Sequence, residues 1–173
     1  MGEWAMDAVG EHAMEVGSLR VPLASVEEDV FCLDLALMGD DGAPLAANRY
    51  LFSRADTLAP FLCVPPTTLA VEREETGEDE AVVTVANTGD VAALFVWLDD
   101  GRPVDSDGYV YFDDNHFCLL PGEARAVRVT WADVPAAERG LTVEAWNSLG
   151  SCKVESSLTG SVLSTNFGNG LSG

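Results

Sequence analysis

The side chains in this chain that could do chemistry are mostly carboxylates, clustered at Glu72–Glu80, Asp99–Asp100, Asp105–Asp107 and Asp113–Asp114. Acid–base cleavage of a glycosidic bond needs two carboxylates in different surroundings, one holding a proton and one a negative charge. Here the acids fall among turn residues, where Asp and Asn side chains bond to nearby backbone in water, and no pair stands apart. Neither His12 nor His116 has a Ser or Cys partner in a recognisable nucleophile motif. The sequence therefore predicts no catalytic residue and no cofactor site.

Calcium is the next chemistry to weigh. Asp105-Ser106-Asp107-Gly108 followed by Asp113-Asp114-Asn115 brings hard oxygen ligands into a short stretch, but without the ligand order of a helix–loop–helix calcium site. Turn capping is the expected role, and no metal ligand is assigned. Cys32, Cys63, Cys118 and Cys152 lack paired CxxC spacing and have only two histidines for company, which argues against zinc. Cys32, Cys63 and Cys118 sit among apolar neighbours, so buried free thiols are expected; a disulfide stays open as the alternative.

Aromatic side chains offer a third chemistry. Trp97, Trp146, Tyr109 and Tyr111 are candidates for a sugar-stacking platform. Trp131 shares its strand face with Val127 and Val129 and is expected inside.

The elements that must position these residues are short strands. Phe31, Leu33, Leu35 and Leu37 alternate with Cys32, Asp34, Ala36 and Met38, then Asp40-Asp41-Gly42 marks a hairpin and Leu45–Phe52 returns. Trp4–Met14 is ambiguous, and Met14–Val21 is a candidate third strand. From Leu69 onward seven short strands are expected: Leu69–Glu72, Ala81–Ala86, Val91–Leu98, Tyr109–Phe112, His116–Leu120, Ala124–Trp131 and Leu141–Trp146. Turn residues separate them, with Pro121-Gly122 in the central positions of a type II turn. That rhythm predicts an all-β, immunoglobulin-like antiparallel β-sandwich at residues 58–147. Residues 1–57 read as remnant strands of a preceding β-sandwich domain, and 148–173 as a flexible tail. Val91–Leu98 is apolar at every position, so both faces should be covered. Leu94, Val96 and Leu98 are the expected interface toward a partner.

Composition narrows the partners. Nine Lys and Arg stand against 29 Asp and Glu, a net charge of −20. Nucleic acid and anionic membrane surfaces are excluded as partners, since both are bound through clustered cations. The N-terminus lacks a basic segment followed by an apolar run, so a cytoplasmic location is the expectation.

Two stretches carry a family resemblance. Asn48-Arg49-Tyr50-Leu51-Phe52 resembles a strand that leads between the last two accessory domains of beta-mannosidases. Ala92–Val96, together with Phe112-Asp113-Asp114-Asn115-His116-Phe117-Cys118-Leu119-Leu120-Pro121-Gly122-Glu123, is similar to that family's C-terminal immunoglobulin-like domain. Cys118 stands where the family usually has Asp. The resemblance spans about residues 45–147. It implies the C-terminal, non-catalytic part of a retaining exo-beta-glycosidase of glycoside hydrolase family 2. The family's catalytic glutamates lie in a barrel that precedes these domains, so no catalytic residue carries over. The implied partners are the parent's catalytic and neighbouring domains. The competing readings are an autonomous carbohydrate-binding module and a free-standing adhesion or scaffold domain.

Overall fold

The computed structural model describes residues 26–150 and 152–154, together with 18, 20, 22 and 24. The Trp4–Met14 stretch, most of the Met14–Val21 strand and the tail beyond Val154 lie outside the described residues. The chain divides into two compact units, Met1–Cys63 and Val64–Gly173, and the division falls at Cys63 rather than after residue 57.

The first unit is built on one hairpin. β1 (Val30–Met38) pairs antiparallel with β2 (Pro44–Ser53). Gly42 at φ +78° supplies the left-handed turn position that a side chain resists. Asp41 Oδ1 accepts from the Ala43 N–H at 3.0 Å. Strict alternation sorts the side chains. Phe31, Leu33, Leu35 and Leu37 share a face with Phe52, Tyr50, Asn48 and Ala46, and the Phe31 and Phe52 rings stack at 5.5 Å. The opposite face carries Asp34 directly across from Arg49, whose Nε donates to Asp34 Oδ1 at 2.6 Å and Nη2 to Oδ2 at 2.7 Å. These hydrogen bonds hold the Asp34 carboxyl below its ordinary value. The pair therefore supports the hairpin above the usual aspartate range, about pH 4. That support fades as pH falls through the lowered folded-state value. Its worth is small because the pair is exposed.

The second unit is the expected sandwich. One sheet has the order β3 (Leu69–Glu75), β4 (Glu80–Asn87), β8 (Ala124–Ala132), β6 (Tyr109–Phe112). The other has the order β10 (Cys152–Val154), β9 (Leu141–Glu144), β5 (Ala93–Asp100), β7 (Phe117–Leu119). All paired strands run antiparallel. Inward positions form one core: Ala81, Val83 and Val85 of β4, Val127, Val129 and Trp131 of β8, and Val96, Leu98, Leu141 and Val143 from the other sheet. Trp131 is 2% exposed, as its alternation with Val127 and Val129 requires. Two cations lie over its ring, Arg73 Cζ at 4.6 Å and Arg139 Cζ at 5.7 Å from the centroid. β10 falls inside the expected tail: its Ser- and Gly-rich surroundings mask a strand that puts Val154 into the core.

β5 departs from regular pairing. Its register with β7 shifts between Ala93 and Val96. Ala93 and Leu94 are both buried, and Phe95 sits at φ +48°. A left-handed phenylalanine costs of order 1–3 kcal/mol and persists only where its surroundings impose it. Three hydrogen bonds of Asn147 hold the chain next to it. Asn147 Oδ1 accepts from the Leu94 N–H at 2.9 Å, and Asn147 Nδ2 donates to the carbonyls of Ala92 and Pro65, each at 2.9 Å. Asn87 works beside it at 1% exposure, donating to the carbonyls of Val91 at 2.8 Å and Leu119 at 3.0 Å. Its Oδ1 accepts from Thr67 Oγ1 at 2.8 Å. Gly89 passes so close that a Cβ there would meet Thr67 Oγ1 at 2.3 Å.

The bulge corrects the expected interface. Val96 and Leu98 belong to the core and Leu94 is buried, at 0, 3 and 3% exposure. The extra residue shifts the inward phase of the strand, so two consecutive apolar residues turn in together. The outward side of β5 is carried by Phe95 and Trp97 instead.

Asn87→Ala leaves the buried Leu119 carbonyl without its amide donor, while the Val91 carbonyl keeps Thr67 Oγ1 at 2.9 Å. Such an unsatisfied group costs about 1–3 kcal/mol, so urea unfolding followed by tryptophan fluorescence should show a stability loss of at least about 1 kcal/mol. An unchanged midpoint would show that the amide is not holding the strand end.

Candidate functional site

The Phe112–Glu123 segment is the densest cluster of polar side chains with a fixed geometry. Asp113 Oδ1 accepts from the Arg128 N–H at 2.8 Å, extending the junction of β6 with β8. Asn115 is spent on one residue of β5: its Oδ1 accepts from the Leu98 N–H and its Nδ2 donates to the Leu98 carbonyl, both at 2.9 Å. A side-chain amide thereby substitutes for a backbone partner. Asp114 Oδ1 accepts from the Asn115 N–H at 2.8 Å, and its Oδ2 pairs with Arg125 at 2.8 Å. Glu123 Oε2 accepts from the Leu120 N–H at 2.7 Å, closing the turn in which Gly122 takes φ +78°. Between them Cys118 Sγ accepts from the Phe95 N–H at 3.3 Å, inside the bulge. Where an Asp would give that N–H a charged acceptor, the thiol gives it a weak one.

These contacts describe a latch between strands. Among the described residues, no three His, Cys, Asp or Glu side chains gather as metal ligands. Two other surfaces hold the remaining candidates. On β6, Tyr109 and Tyr111 point outward and are 65 and 62% exposed. Trp97 and Trp146 lie on the other sheet, Trp97 on β5 and Trp146 just past β9, with the Trp146 N–H donating to the Leu94 carbonyl at 2.8 Å. The four aromatic candidates thus fall on two separate sheets and do not form a single platform. The sequence reading missed Phe95 and Glu144. Phe95 is 41% exposed on the outward side of β5, and Glu144 stands directly across from Trp97. Their alternation with the buried Val96 and Val143 was the available signal.

The cysteines differ from expectation. Cys32 and Cys63 are exposed and Cys118 and Cys152 partly so, and all four are free thiols. Cys32 stands on β1 among side chains that are half-buried or exposed, so its apolar neighbours in sequence do not enclose it. Burial pushes the Cys152 thiol above its ordinary value.

Residues 64–149 match the family model Ig_mannosidase, an Ig-fold domain. A solved structure of the exo-beta-D-glucosaminidase CsxA, inhibited by a glucosamine-configured castanospermine and an amino-australine analogue, is similar in fold. The TM-score is 0.55 and the identity 19%, over 79% of this chain and 19% of that chain. The chain thus spans about a fifth of that protein's length. No curated protein matches it.

The latch contacts differ in worth. Asn115→Asp removes the donor to Leu98 and sets a carboxylate against a carbonyl, so a loss of about 1–3 kcal/mol is expected. Asp114→Ala removes only an exposed ion pair and one turn bond, and should cost about 1 kcal/mol or less. Thermal melts with and without millimolar calcium check both. A calcium-dependent rise that disappears in Asp114→Ala would make this loop a metal site instead.

Proposed function

Starting from residues 64–149 as an Ig-fold domain of the Ig_mannosidase type, we propose that the chain is a non-catalytic accessory part of a retaining exo-beta-glycosidase. Its parent is a beta-mannosidase-like member of glycoside hydrolase family 2. In this reading the chain packs against a catalytic body and stabilises it. The family match is the observation that carries it. The side-chain geometry supports it too: Asp113, Asp114, Asn115 and Glu123 of the Phe112–Glu123 segment are engaged with backbone or with Arg125.

The hairpin supports a packing role. Leu35, Leu37, Tyr50 and Phe52 are each 43–45% exposed, and a lone two-stranded ribbon is marginal in water. Covering what remains exposed of each would contribute less than half of the about 1.5–3 kcal/mol that full burial of such a side chain is worth. A neighbouring domain of the same polypeptide is the cover that this function provides.

The chain alone should not turn over aryl beta-mannosides or beta-glucosaminides. Removing residues 64–149 from the longer polypeptide should lower the melting temperature of its catalytic body by several degrees. Turnover that co-purifies with the chain and disappears on substitution of a single carboxylate would overturn the proposal. So would a catalytic body that melts at the same temperature without the domain.

A further inference from the structure

Tyr109 and Tyr111 take no part in the core or in the latch. They hold alternate positions on the outward side of β6, while Val110 and Phe112 pack against the core. A strand advances about 3.3 Å per residue, so the two side chains leave the backbone about 6–7 Å apart on one surface. β6 is the edge strand of its sheet, so no further strand of that sheet flanks them on one side. On the other side the residues directly across are Ala132 and Thr130, too small to overlie a tyrosine ring. Both tyrosines stay in water, at 65 and 62% exposure. Polar groups continue the surface: Glu80 stands directly across from Thr130, and Arg128 lies two positions along β8 on the same side, both exposed.

From this arrangement we infer that the outward side of β6 binds a neutral glycan. Pyranose rings stack their C–H faces on Tyr109 and Tyr111, whose separation is on the scale of one sugar unit and its linkage. The sugar hydroxyls bond to the phenol groups, Thr130, Glu80 and Arg128. An aromatic ring with a polar end suits a ligand that presents apolar ring faces and polar edges together. Size separates this ligand from a protein partner. A covered tyrosine buries about 150–250 Å², so at these exposures the two rings offer about 200–300 Å². A stable protein interface takes about 800 Å² from each partner. The neighbours on this side, Ala132, Thr130, Arg128 and Glu80, add no large apolar side chain. Charge then sorts the sugars, since a chain of net charge −20 repels acidic glycans. The site does not rest on the accessory role, and either can fail without the other.

The test is calorimetric titration of the intact chain with neutral β-linked mannose and glucose oligomers and with an anionic galacturonate oligomer. Proton NMR of the tyrosine rings accompanies it, with Tyr50 on β2 as the internal reference. At least one neutral oligomer should bind and shift the ring signals of Tyr109 and Tyr111 but not of Tyr50; the galacturonate oligomer should not bind. Tyr109→Ala and Tyr111→Ala should each weaken binding about tenfold, the scale of one lost aromatic contact. The Phe variants keep the ring and should retain most of the affinity. The ring signals of the unsubstituted chain decide the matter even where a variant fails to fold. The inference is overturned if neither neutral oligomer binds, or if the galacturonate oligomer binds as tightly as they do. It is equally overturned if the Tyr109 and Tyr111 signals stay in place on binding, or if the Ala variants bind unchanged. Self-association that the tyrosine variants abolish, in a chain that binds no sugar, would make this surface a contact between copies instead.

Discussion

Backbone amides cannot be buried without partners, and a strand that slips out of its ladder must find them elsewhere. In this sandwich the slip occurs at Leu94 and Phe95, and the partners are side chains. Asn147 takes the Leu94 N–H and donates to Ala92 and Pro65. Cys118 takes the Phe95 N–H. Asn87 holds the carbonyls of Val91 and Leu119 at the same end of the domain. An asparagine is suited to this because one planar group offers both an acceptor and two donors. With Leu94, Val96 and Leu98 buried on one phase, the slip lets Ala93 be buried beside Leu94.

The rest of the second unit follows from that exchange. With the phase set, Val96 and Leu98 meet Val143 and the valines of β4 and β8 in a single core. Phe95 and Trp97 are left on the outside beside Glu144. Asn115 then fastens β5 at Leu98, so the strand is pinned near both ends by side-chain amides on other segments. Among the described residues of the first unit, the hairpin carries a bidentate ion pair on one face and the Phe31–Phe52 stack on the other.

Local chemistry was legible in the sequence and long-range chemistry was not. Gly42 and Gly122 announced their turns because glycine alone takes positive φ cheaply. Alternation placed Trp131 inside. The family motif was equally visible, and residues 64–149 match the family it suggested. The bulge was hidden because no glycine or proline marks it, and its braces come from 23 and 53 residues away. A uniformly apolar strand then looked like one with two buried faces, which moved the expected interface to Leu94, Val96 and Leu98. β10 was hidden by composition: Ser and Gly around Cys152–Val154 argued for a tail, while the core required one more apolar side chain.

The tie between Asn147 and Pro65 also governs when the domain can come into being. Those residues are 82 positions apart, and the Thr67 N–H donates to the Asn147 carbonyl at 2.8 Å alongside. Pairing of β3 with β4 is local, but the bulge cannot be braced until Asn147 arrives, and Val154 completes the core only after that. During synthesis, β5 must therefore leave the ribosome and wait, with Leu94 and Phe95 uncommitted, while about fifty further residues are made. Contacts between residues so far apart in sequence must offset their loop-closure entropy before they add stability. The finished sandwich therefore needs residues from both ends of the domain, Pro65 and Thr67 at one and Asn147 and Val154 at the other. The high density of carboxylates in the turns keeps neighbouring nascent chains apart by mutual repulsion during that interval.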